Sequence, residues 1–232
     1  MIYYNYQKEG RKENKMTKTL VFDMDGTLID TEKFLVEGRV KAMHALGYHD
    51  FTWEDSLYFR SLPPEEVERI LKERYGEGFP YMSVRLKRRE MAKQLHEEFG
   101  FDKKKGSDKA LKVLKARGYK IAVATASDYE RAKRYLQKVG LFEYFEPENI
   151  ICATELEHGK PYPDVYLYAC RQLGERPEDC IAVEDGPFGV ISAYRAGMQV
   201  IMVPDLTQPE EELRKMLYKK IDGLEDLIDL FE

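Results

Sequence analysis

The sequence predicts an α/β protein: a Rossmann-like parallel sheet with helices on both faces, plus a helical domain inserted after the first strand. Three observations carry that expectation. Short apolar runs recur along the chain, most ending in a turn or a polar cluster, as buried parallel strands do. Helix-compatible stretches fill the gaps, so consecutive strands can lie parallel only through helical crossovers. One interval, from about Leu35 to Lys104, breaks the alternation and contains no strand pattern.

The first 15 residues hold Tyr3, Tyr4 and Tyr6 and then a polar stretch from Gln7 to Lys15, the composition of a tail; Met16 is a candidate native start. Thr19–Phe22 is the first strand and breaks into Asp23, Met24, Asp25, Gly26 and Thr27. Residues 35–104 are expected to fold as a helical cap over the carboxyl edge of the sheet, with turn signals at Gly47, Pro63, Pro64, Gly76, Gly78 and Pro80. The core is then built from 16–34 and 105–232. After Ser107, Ala110, Leu111 and Leu114 share one helix face and Gly118 stops the helix. Ile121–Ala124 is a strand running into Thr125. Ser127 and Glu130 have capping-box spacing and open a helix with Ala132, Tyr135, Leu136 and Val139 on one side, closed by Gly140. Ile150–Cys152 carries the strand pattern more weakly. Asp164 can cap a helix that runs to Gly174. Ile181–Val183 runs into Glu184, Asp185 and Gly186; a helix over Gly189–Ala196 ends at Gly197; Val200–Val203 runs into Pro204.

Composition narrows the function. With 37 basic and 42 acidic residues the net charge is −5, which argues against bulk nucleic-acid binding. At 43% hydrophobic and 12% aromatic the chain is too apolar for disorder. It contains neither a bilayer-length apolar segment nor a secretory h-region. Cys152, Cys170 and Cys180 have no metal-ligand spacing and suit a reducing interior. A cytoplasmic protein, monomeric or weakly dimeric, is expected, with a small phosphorylated metabolite rather than nucleic acid or membrane as its partner.

Asp23 and Asp25, Thr125, and Glu184 with Asp185 each follow or end an apolar run, and Lys160 lies in a loop ahead of a helix. In open α/β sheets, ligands bind beyond the carboxyl ends of the strands, so these distant residues can meet in one site. Four carboxylates together repel unless a cation intervenes. Oxygen ligands without histidine or cysteine point to a hard ion, with Mg²⁺ the first choice. Such a pocket with a lysine and a threonine suits a phosphoryl group.

Asp23–Thr27 (D-x-D-G-T), Ala124–Ser127 (A-T-A-S), Gly159–Asp164 (G-K-P-Y-P-D) and Val183–Gly186 (V-E-D-G) stand in that order. The arrangement resembles the haloacid dehalogenase superfamily, and within it the β-phosphoglucomutase-like phosphatases, from about Lys18 to the C-terminal helices. The resemblance implies that Asp23 is the nucleophile and forms an aspartyl-phosphate, and that Asp25 is the general acid and then base. It implies that Mg²⁺ takes the Asp23 carboxylate, the Asp25 carbonyl, and the Glu184 and Asp185 acids. Thr125 and the amides around Ala126 would hold phosphate oxygens. Lys160 would neutralise both the phosphoryl group and Asp23.

Departures matter too. β-Phosphoglucomutases carry a histidine where Leu35 stands, and Pro63–Pro64 falls near their cap arginine, so the reading is net hydrolysis rather than phosphomutase activity. Phosphonoacetaldehyde hydrolases need a cap lysine that has no evident counterpart here. True haloacid dehalogenases lack the second aspartate, and a catalytically idle phospho-ligand sensor would lack one of the pair. Gly186 replaces a serine common in relatives. Arg60 and the run Arg85, Lys87, Arg88, Arg89 and Lys93 read as surface charge, His158 as a loop residue, and Tyr135, Tyr166 and Tyr168 as helix packing.

Overall fold

A computed structural model describes residues 19–62, 64–152, 154 and 156–232. The expected tail, the start at Met16 and Pro63 lie outside them. The strands are β1 (Thr19–Phe22), β2 (Lys120–Thr125), β3 (Ile150–Cys152), β4 (Cys180–Glu184), β5 (Gln199–Met202) and β6 (Lys219–Lys220). They form one sheet in the order β3-β2-β1-β4-β5-β6, parallel throughout. The chain builds outward from β1 to β3, then restarts on the other side of β1 with β4. That reversal places a crevice at the carboxyl ends of the central strands.

Side-chain alternation sends the strands' apolar residues to two faces. Leu20, Phe22, Ile121, Val123, Ile181 and Val183 face one core. It is covered by α5 (Ser107–Ala116), α6 (Tyr129–Lys138) and α10 (Asp226–Leu230). Val21, Ala122, Ala124 and Ala182 face the other, under α7 (Asp164–Leu173) and α8 (Pro187–Arg195), with Leu213 of α9 (Glu211–Arg214) at its border. The three alanines leave room for α7 to bury Tyr166 against the sheet.

Between β1 and β2 the chain forms α1 (Glu32–Ala45), α2 (Trp53–Tyr58), α3 (Pro64–Tyr75) and α4 (Tyr81–Phe99). These pack around an apolar cluster of their own that includes Met43, Phe51, Phe59, Val67, Leu71 and Val84. The helical run starts at Glu32, three residues before the expected insertion. The segments entering and leaving it lie side by side: Ile29 bridges Lys103, Asp30 N–H donates to Asp102 O at 2.9 Å, and Lys104 N–H to Leu28 O at 2.8 Å.

Two local expectations are corrected. The N-cap of α6 is Asp128, whose carboxylate accepts from Arg131 N–H at 2.8 Å, so Ser127 and Glu130 form no capping box. Asp164 is the first residue of α7 and not its cap; the cap position is Pro163. Strand β6 has no counterpart in the sequence reading, because two lysines at a sheet edge carry no apolar signal. The three cysteines are free. Among the described residues, no helix is long and apolar enough to cross a membrane.

Candidate active site

Phe22, the last residue of β1, pairs with Val123 on one side and Val183 on the other, and β2 and β4 run on only to Thr125 and Glu184. Asp23 continues the ladder by donating its N–H to Val183 O at 2.9 Å. Strand geometry therefore delivers Asp23, Thr125 and Glu184 to the same edge, and Asp185 follows by one residue. Carboxylate oxygens of Asp23, Glu184 and Asp185 all lie within 4.8 Å of one another. The loop before α7 brings in Lys160, whose Nζ donates to Asp23 Oδ1 at 2.5 Å and Glu184 Oε1 at 2.7 Å.

Two glycines make this crowding possible. Gly26 sits at φ +90°, and a Cβ there would collide with Asp185 Oδ2. A Cβ on Gly189, in α8, would run into the Glu184 carboxyl group, so that carboxylate rests directly on the helix backbone. Gly186 is crossed by the Arg60 guanidinium, whose Nη2 lies 3.1 Å from where a Cβ would stand.

The acids are costly in this setting. Burial, partly countered by Lys160, holds the Asp23 carboxyl well above the usual carboxylate range, and Glu184 and Asp185 add to the rise. Burial pushes Asp185 up to about 7 against the pull of Arg60. Burial disfavours the Lys160 charge, yet Asp23 and Glu184 outweigh it and raise its pKa. Crowded carboxylate oxygens, two of them on acids that burial keeps from ionising easily, are what a hard divalent cation relieves. The cluster fits such an ion.

Asp25 stands apart from that cluster. Its carboxylate accepts from Thr31 Oγ1 at 2.6 Å and from Arg131 at 2.9 and 3.0 Å, with the Ser127 hydroxyl at 3.4 Å. Thr125 is buried, and its hydroxyl accepts from Ser127 N–H at 3.1 Å. Thr125 and Ala126 both line a cavity of about 710 Å³ that also opens onto Asp23, Asp25 and Lys160.

Several residues that read as ordinary in the sequence belong to the site. Tyr166 packs in a helix as expected, but its hydroxyl also donates to Glu184 Oε1. Tyr135 hydrogen bonds to His96 Nδ1 at 2.9 Å within the cavity wall. Arg60 is buried, not surface charge: it donates from Nε to Glu32 at 2.9 Å, to Thr207 Oγ1 at 2.9 Å, and from Nη2 to Asp185. The basic run on α4 divides, with Arg88, Arg89 and Lys93 lining the cavity. His158 keeps its loop role, beside Tyr162 and 3.4 Å from Asp164. Leu35 lines the cavity and packs near Phe34 and Ala92. No spacing rule marks a tyrosine whose ring packs while its hydroxyl reaches a carboxylate. Arg60 had a signal in its position on the cap, but no means of showing its reach.

This chain is similar to known proteins in sequence and fold. The family described as haloacid dehalogenase-like hydrolase matches residues 20–203. The provisionally named phosphatase YhcW of Bacillus subtilis (strain 168) is 32% identical over 207 residues, 82% of this chain and 84% of that protein. The phosphorylated carbohydrates phosphatase of Thermotoga maritima is 27% identical over 184 residues, 79% of this chain and 83% of that one. A crystal structure of a CbbY variant from Rhodobacter sphaeroides, in complex with xylulose-(1,5)bisphosphate, covers 91% of this chain and 96% of its own. Its TM-score is 0.71 at 25% identity.

Proposed function

Because this chain belongs to the haloacid dehalogenase-like hydrolases, we propose that it is a Mg²⁺-dependent phosphatase that hydrolyses a small phosphomonoester, a sugar phosphate, through an aspartyl-phosphate on Asp23. Phosphatase activity on phosphorylated compounds accords with its family and with phosphatase relatives. The carbohydrate phosphatase and the sugar bisphosphate bound to CbbY support a sugar as the carrier. The observation that carries the mechanism is the Asp23 carboxylate at the strand end, held by Lys160 at 2.5 Å beside two further acids.

In the proposed reaction, an Asp23 carboxylate oxygen attacks phosphorus, and the bond from phosphorus to the sugar oxygen breaks. Asp25 gives a proton to that leaving oxygen. Asp25 then takes a proton from water, whose oxygen attacks phosphorus and releases inorganic phosphate and free Asp23. Arg131 and Thr31 hold the Asp25 carboxylate, and it must let go of them to reach the leaving oxygen. Thr125 and the amides around Ala126 hold the phosphoryl oxygens, and Lys160 offsets the charge of one anion approaching another. Asp23, Glu184, Asp185 and the Asp25 carbonyl would hold Mg²⁺, which when bound supplies positive charge to the phosphoryl group. Residues 35–104 act as a cap that excludes water during transfer. Leu35 stands where β-phosphoglucomutases carry a histidine, which favours hydrolysis over a phosphomutase; the cavity's His96 is instead tied to Tyr135 at 2.9 Å. The reading places the enzyme in the cytoplasm, as a monomer or weak dimer.

The test is phosphate release from a panel of phosphomonoesters with Mg²⁺ or EDTA, using the wild type and Asp23→Asn in parallel. Metal-dependent release that the substitution abolishes is expected, with a phosphoenzyme visible by intact mass only when Asp23 is present. An Asp23→Asn protein retaining more than a small fraction of the rate would overturn the nucleophile assignment.

A further inference from the structure

The cavity carries more positive charge than its reaction centre uses. Around the strand ends each cation meets acids: Lys160 meets Asp23 and Glu184, Arg60 meets Glu32 and Asp185, and Arg131 meets Asp25. Toward α4 the pattern changes. Arg88 lines the cavity with its Nε buried and without a hydrogen-bond partner. Among the described residues it makes no ion pair, and Glu32, whose field reaches it, is already bound by Arg60 at 2.9 Å. Arg89 and Arg134 line the same cavity without an ion pair among the described residues. Lys93 reaches only Glu97, one turn along its own helix at 3.8 Å, with both side chains exposed.

A second pocket, of about 410 Å³, shares Lys93 and Arg134 with the first and adds Lys138. The cationic region therefore continues along the wall between α4 and α6. A buried guanidinium nitrogen without a partner is rare, because the lost hydration is not replaced. Placing it beside further like charges raises that cost. An arriving anion would meet both needs, and arginine's fork suits the oxygens of a phosphate or carboxylate.

We propose that this end of the cavity is a second anion subsite, so that the preferred substrate is a phosphomonoester bearing a second phosphate or a carboxylate. The proposal rests on the phosphatase reading for the end at Asp23, while the cations between α4 and α6 define the other end. Arg88 is its central residue, and Arg134 approaches from the facing helix.

Matched substrates test it: ribulose 5-phosphate against ribulose 1,5-bisphosphate, and glycerol 3-phosphate against 3-phosphoglycerate. In at least one pair the doubly anionic member should have a kcat/KM about tenfold higher or more, chiefly through KM, as a charge-assisted contact provides. The pair that discriminates tells phosphate from carboxylate. Arg88→Gln should reduce that ratio about tenfold and Arg88→Lys less, as a charge-assisted pair requires. Arg134→Gln, at an exposed position, gives a check free of folding effects. Equal kcat/KM values within both pairs, or a ratio unchanged in folded Arg88→Gln, would overturn the subsite. The same pairs titrated calorimetrically into Asp23→Asn need no turnover. A preference there that Arg88→Gln removes upholds the subsite even if no phosphate is released, and equal affinities reject it.

Discussion

Replacing Tyr166 with phenylalanine removes one oxygen atom from the interior and changes little else. The Tyr166 ring is fully buried in α7, and its hydroxyl donates to Glu184 Oε1, the oxygen that Lys160 reaches at 2.7 Å. Burial and the neighbouring Glu184 hold the phenol well above its usual pKa, so it stays protonated and remains the donor. Glu184 is 2% exposed, which leaves no water to replace the hydroxyl. Phenylalanine fills the same ring volume, so the loss is that of one hydrogen bond to a charged group, about 2 kcal/mol. For a chain of this length that lowers Tm by about 4–8 °C. The same change removes an orienting partner from a proposed metal ligand, which typically weakens metal affinity about 10- to 100-fold. Thermal unfolding and a Mg²⁺ titration of phosphate release read the two effects separately. A Tm within a degree of wild type with an unmoved Mg²⁺ midpoint would reduce Tyr166 to packing and refute the reasoning.

Asp185 predicts a pH dependence in metal-free protein: its folded pKa of about 7 exceeds the ordinary 3.8, so the folded state binds the proton more tightly. Its contribution is therefore present below about pH 4 and lost as pH rises through about 7, by about 4 kcal/mol at most. Unfolding scans in EDTA should show a larger fall in the wild type than in Asp185→Asn, where Asp23 still contributes, and excess Mg²⁺ should reduce both. Arg60→Gln removes a guanidinium that competes for Asp185, so the Mg²⁺ midpoint in the same titration should move to lower concentration, by about tenfold if one charge-assisted contact is lost. A move to higher concentration would show that Arg60 supports the metal site. Gly189→Ala forces a methyl into the Glu184 carboxylate; it should cost about 1–3 kcal/mol of stability and most of the Mg²⁺ response, measured by the same scans.

The sheet was legible because its signals are local. Each central strand is a short apolar run, and the candidate site groups sit within a residue or two of its end, so finding the strand also finds the candidate site. Asp23, Thr125, Glu184 and Asp185 follow from that rule. What escaped reading depends on approach in three dimensions. Arg60 belongs to the turn after α2 and reaches Asp185 from 125 positions away. Tyr166 sits in a helix whose apolar face accounts for its ring but is silent about its hydroxyl. At α6, the backbone makes Asp128 the cap in place of the expected Ser127, whose hydroxyl lies 3.4 Å from Asp25. Arg88 falls in a run that looks like a solvated face, and only the packing of α1 against α4 turns it inward.

Charge ties these late-found residues to the early-found ones. Asp23, Glu184 and Asp185 bring three carboxylates together, and among the described residues of the core one cation, Lys160, answers them. The second comes from the helical insertion, where Arg60 neutralises Asp185 from above. The acidic cluster therefore gains its second counter-charge only when the insertion lies over it, so the position of that insertion and the electrostatics of the strand ends are one property. A divalent cation at the acids would make the Arg60 contact unnecessary and leave the centre positive. A dianionic phosphoryl group arriving there would restore near-balance, while Glu32 and Thr207 still hold Arg60 in place. The same insertion carries Arg88 and Arg89 on α4, so on the proposed reading its position over Asp23 also sets the distance from the reacting phosphate to the second anion.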